Sequence, residues 1–166
     1  MADLTDNKNN QNHVVGVDDG TECIELVNRH GETIGKFTFR PTDTGIVDRY
    51  EKIKNDLGQI TAPIEALHEK HGSNDDEGDE GDEEFLSALR DARQRLFEAL
   101  DFLFDAPVSQ ECFGRMDPFS PVGGKFYCEN VIEALGKFIE GRFNVQTTAV
   151  NNRIGKYTAG MKRGRN

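Results

Sequence analysis

The chain has 166 residues with 30 acidic and 20 basic side chains, a net charge of -10, eleven Phe and no Trp. That length fits one domain with a modest core. The acidic balance argues against general binding to nucleic acid or to an anionic membrane.

The N-terminal segment MADLTDNKNNQNH is polar, holds no secretory signal and reads as a disordered stretch over residues 1–13. His13–Val17 reads as a short strand before the turn Asp18-Asp19-Gly20. Thr21–Val27 alternates, with Ile24 and Leu26 on one face and Glu25 on the other. Asn28–Glu32 is a turn in which Gly31 is free to take positive φ. Thr33–Phe39 returns as a second strand, completing a β-hairpin that needs something to pack on.

Phe37–Ile53, FTFRPTDTGIVDRYEKI, turns the chain from sheet to helix. Phe37 and Phe39 share a strand face, Pro41 ends the ladder, and Thr42 or Asp43 caps the helix. Ile46, Tyr50, Ile53, Leu57, Ile60, Ile64 and Leu67 then recur at alternating steps of four and three. Gly58 and Pro63 predict a kink or short break in that helix.

The acidic insert follows, spanning residues 72–83, and is too polar to bury. A second helix is predicted from Asp82 to Asp105, with Phe85, Leu89, Ala92, Leu96, Leu100 and Leu103 as its core stripe. Leu86, Phe97 and Phe104 widen that stripe. The link VSQECFGRMDPF carries Phe113, Met116 and Phe119, much apolar surface for a loop. Ser120-Pro121 looks like a helix start, and a third helix is expected to reach Phe143, with Val122, Phe126, Val131, Leu135, Phe138 and Ile139 facing inward. Beyond Asn144 the periodicity fades, so residues 144–166 read as a basic tail. The expected architecture is α+β, with one domain over 14–143: an N-terminal hairpin packed on three helices, the first of them broken.

Little in the chain suggests reactive chemistry. Cys23, Cys112 and Cys128 match neither a disulfide framework nor a zinc site, which places the protein in a reducing, cytoplasm-like compartment. Glu65 and His68 form a single E-x-x-H, where a di-iron bundle needs two such pairs and two further glutamates, so a solvated helix end is expected. Counted from Asn74 or Asp75, the acidic insert lacks the sixth-position glycine of an EF-hand; counted from Asp76, Gly81 supplies it, but Gly78 falls at a ligand position and the twelfth is Ser87 rather than glutamate, so a solvated acidic linker is expected. Pro121-Val-Gly-Gly-Lys125 lacks the full phosphate-loop spacing, and its glycines read as close helix packing. Catalytic, cofactor and metal residues are therefore all assigned as none. No apolar run approaches the roughly 20 residues of a membrane helix.

FTFRPTDT from Phe37, with VDRYE from Val47, resembles small tail-assembly chaperones of long-tailed phages and prophages. Phe113-Gly114, Pro118 and the segment Val122–Phe143 fit the same family, so the resemblance covers Thr21–Phe143. The acidic insert is longer than the resemblance predicts. The resemblance implies a non-enzymatic protein of the host cytoplasm that coats the helical tape-measure protein while the tail tube polymerises. It also implies a longer frameshifted form in many members. Phe113, Met116, Phe119, Val122 and Phe126 are the expected partner-binding residues, with a homo-oligomer as a further possible assembly. Two alternatives stay open: a structural tail component, or an acidic charge mimic that occupies a host nucleic-acid-binding protein.

Overall fold

The computed structural model describes residues 12–71 and 80–163, with side chains over 12–70 and 81–155. The fold is α+β, as expected from the sequence. Two strands, β1 (Glu22–Val27) and β2 (Thr33–Phe39), precede three helices, α1 (Thr44–His71), α2 (Glu80–Phe104) and α3 (Ser109–Phe113). A second hairpin follows, β3 (Pro121–Val122) and β4 (Lys125–Phe126), and then α4 (Tyr127–Arg163).

β1 and β2 pair antiparallel, with Ile24 opposite Phe37 and Glu22 opposite Phe39. Asn28 builds the turn: its Oδ1 accepts from the His30 and Glu32 amides at 2.9 and 3.1 Å, and Gly31 adopts φ 80°. The apolar face lands on the end of α2 and on the body of α4. Phe39 meets Phe104 edge-on at 4.8 Å and Phe138 at 6.2 Å. Arg142 Nε donates to Glu22 at 2.9 Å, tying α4 to β1.

Asp43 is the cap of α1, accepting from the Gly45 amide at 3.0 Å. Arg49 reaches across to donate to the Leu103 carbonyl at 2.9 Å, satisfying an acceptor in the last turn of α2. Lys70 pairs with Glu84 at the other end, so α1 and α2 run antiparallel. Ile46, Ile53, Ile60 and Ile64 face Ala92, Leu96, Leu100 and Leu103 in one buried cluster with Val131, Leu135 and Ile139 of α4. No described helix is long and apolar enough to cross a membrane.

The structure departs from the sequence reading in several places. The strand expected over His13–Val17 does not form, and Val14, Val15 and Val17 are exposed, since among the described residues no second strand lies beside them. α1 is assigned as one helix through Pro63 rather than a broken one. Gln59 and Pro63 are both exposed, so the carbonyl that loses its amide partner lies on the solvated side. Residues 80–83 of the acidic insert belong to α2, while 72–79 lie outside the described residues, as do 1–11 of the N-terminal segment. Leu86, placed in the core stripe by spacing, is 51% exposed.

The apolar link is partly helical. Asp101 organises it, accepting from the Ser109 amide at 2.8 Å and the Ser109 hydroxyl at 3.1 Å. α3 then lies against β2, where Glu111 accepts from the Lys36 amide at 3.0 Å. The third long helix starts at Tyr127, not at Pro121. Gly123 and Gly124 take φ 63° and 80°, the paired positive values of a two-residue hairpin turn, so their role is the turn and not helix packing. Glu129 reaches back to the Phe126 amide at 2.8 Å and caps α4. The tail expected over 144–166 is helical through Arg163.

Candidate functional site

The five residues expected to meet a partner do not form a surface patch. Phe113 is buried at 6%, stacked on Phe97 at 5.9 Å and edge-on to Tyr127 at 5.8 Å. Phe119 is equally buried and meets Phe126 at 5.7 Å. Val122 and Phe126 are half-buried in the small hairpin, and Met116 alone reaches the surface. The link became core because α3 and Asp101 give its backbone partners while its rings fill the space beside α2 and α4.

Two of the three cysteines are structural as well. Cys112 and Cys128 are buried, and burial pushes each thiol up to about 12. His68 packs edge-on against Phe85 at 4.9 Å. Among the described residues, no group of three or more His, Cys, Asp or Glu comes together. Pro121–Lys125 is a tight hairpin whose lysine pairs with Glu133 at 2.9 Å, leaving no helix N-terminus for a phosphate.

A groove of about 820 Å³ lies between the first half of α1 and the middle of α4. Its apolar lining comes from Val47, Tyr50, Ile139 and Phe143, with Gly136 between them. Val47 is 39% exposed there, while Tyr50 and Phe143 are half-buried. The groove exists because the helix stripes diverge: Ile46 and Ile53 turn to the core while Val47 and Tyr50 sit at its margin. Gly136 lets Tyr50 lie across α4, where its hydroxyl donates to the Ile132 carbonyl at 3.4 Å. Burial, helped by the charges of Glu51, Glu133 and Glu140, raises the phenol above its usual value and keeps it a donor.

Charge surrounds that floor. Asp48, Glu51, Glu133 and Glu140 line the groove with Lys54 and Lys137. Glu133 holds Lys137 and Lys125 at 2.9 Å each, and these two ammonium groups draw its carboxyl down to about 2. The remaining rim is predominantly acidic. A smaller hollow of about 330 Å³ lies between α1 and α2, beside Phe102, which is 58% exposed beneath Lys52.

Past the groove, α4 runs on to Arg163. Residues 144–155 are all exposed, including Val145 at 61% and Val150 at 45%. The sequence signal for this helix is the series Phe143, Thr147, Val150, Ile154, Tyr157 and Met161, at steps of four and three. Threonine within the series hides it from a reading that counts only apolar residues. No family model, no curated protein and no solved structure matches this chain.

Proposed function

We propose that this protein is a tail-assembly chaperone that binds the helical tape-measure protein of a long-tailed phage or prophage and keeps it soluble during assembly. The observation that carries the reading is the α1–α4 groove, with its apolar floor, acidic rim and continuation into an exposed helix. An amphipathic helix lays its apolar face into such a groove, with anchors three and four residues apart. The acidic exterior keeps the loaded complex soluble, since the chain carries a net charge of -10. The role requires no catalytic group, and the partner surface proposed here is the groove rather than the Phe113–Phe126 patch.

The test is co-expression with the neighbouring long helical protein, followed by affinity capture and mass spectrometry of finished particles. The proposal expects a soluble complex in the cell and no chaperone in the particle. A client that stays insoluble when this protein is present contradicts it. Retention in finished particles identifies a structural tail component instead.

A further inference from the structure

The two ends of α4 differ in kind. Its first half forms one wall of the acid-rimmed groove. Its second half is basic in sequence, since residues 144–166 hold Arg153, Lys156, Lys162, Arg163 and Arg165 and no acid, and it is exposed over 144–155. Removing that +5 from the total of -10 leaves about -15 on the preceding chain. The segment from Asn144 to Arg163 is helical and, at about 1.5 Å per residue, extends about 30 Å.

We infer that the groove is filled by a second copy of this chain, through the basic half of α4. The stripe through Thr147 and Val150 meets the floor of Val47, Tyr50, Ile139 and Phe143, and the basic flanks face the acidic rim. Three features select this occupant. The helix cannot fill its own groove, because α4 is already a wall of it and runs on as one helix. Two C-terminal halves paired with each other would bring like charges together with no acid to offset them. A groove rimmed by Asp48, Glu51 and Glu140 supplies the opposite charge, which fixes partner choice and orientation. Reciprocal exchange of the two halves makes a closed two-fold dimer. The free protein then shields its own groove, and a client must displace the partner helix.

This pairing concerns the groove and does not depend on the client being a tape-measure protein. The experiment is sedimentation equilibrium of the full chain, with far-UV circular dichroism to confirm folding. Wild type is expected at twice the 18.6 kDa chain mass. Val150→Asp damages the inserted helix and Val47→Lys damages the groove, so each alone is expected at half the wild-type mass. An equimolar mixture restores the dimer, because an intact helix in one chain meets an intact groove in the other. Should Val47→Lys fail to fold, Glu51→Lys on the exposed rim gives the same readout. A monomeric wild type overturns the inference, and binding of a client by that monomer leaves the chaperone proposal standing. A groove variant that remains dimeric also overturns it, because tail-to-tail pairing alone predicts that result. Capture of a duplex oligonucleotide by the basic half without self-association assigns that half to nucleic acid and overturns the inference equally.

Discussion

Tyr50 lies so close over Gly136 that a Cβ built on that glycine falls 1.9 Å from the tyrosine Oη and 2.3 Å from its Cζ. The contact brings α1 against α4 and shapes the floor of the groove. Gly136→Ala should therefore lower stability by about 1–3 kcal/mol through overpacking. In a Tyr50→Ala background the same change should cost nothing, or gain up to about 1 kcal/mol of helix propensity. Denaturant midpoints of the four chains make the cycle. Equal effects of Gly136→Ala in both backgrounds would show that the two residues do not meet.

Phe39 and Leu135 are buried at 5% and 3%, from opposite ends of the sequence. Truncating either to alanine should cost about 2–5 kcal/mol, from lost burial plus the cavity left behind. A shift below about 0.5 kcal/mol, ordinary for surface positions, would place that residue outside the core.

The three cysteines should separate by reactivity. Cys23 is exposed, while Cys112 and Cys128 are buried with thiols pushed up to about 12. Thiolate is the reactive form, so native protein near pH 8 should give one rapid equivalent of modification and release two more on unfolding. Three rapid equivalents in folded protein would contradict the burial of α3 and the start of α4.

Glu133 offers a pH test. Its carboxyl is lowered to about 2 by Lys137 and Lys125, against an unperturbed 4.5. A depressed folded value means that its contribution to stability is present above 4.5 and is lost as pH falls through 2. Carboxyl NMR should place the Glu133 titration well below 4.5, and Lys137→Ala should raise it. An unchanged value in that variant would remove Lys137 from the groove rim.

The hairpin and the first two long helices were legible because their periodicity is carried by many residues. Ile24, Phe37 and Phe39 alternate, and the stripe from Ile46 to Ile64 keeps its phase through Pro63. The errors fall where a short signal supports two structures. Ser120-Pro121 looks like a cap and first helical residue, but Gly123 and Gly124 at positive φ turn the chain first. α3 is five residues long, too short for a helical stripe, so its rings passed for a surface patch. The groove itself is tertiary: Val47 and Ile139 are 92 positions apart, and only the helix packing brings them together.

The proposed function requires the groove to hold a helical client mainly through apolar contact. Calorimetric titration of a tape-measure fragment tests it most directly, run at low salt and again near 1 M, where the Debye length is about 3 Å. Binding is expected to persist at high salt with a negative heat-capacity change, because screening weakens exposed ion pairs but not apolar burial. Complete loss of binding near 1 M would contradict it and favour the acidic charge-mimic alternative.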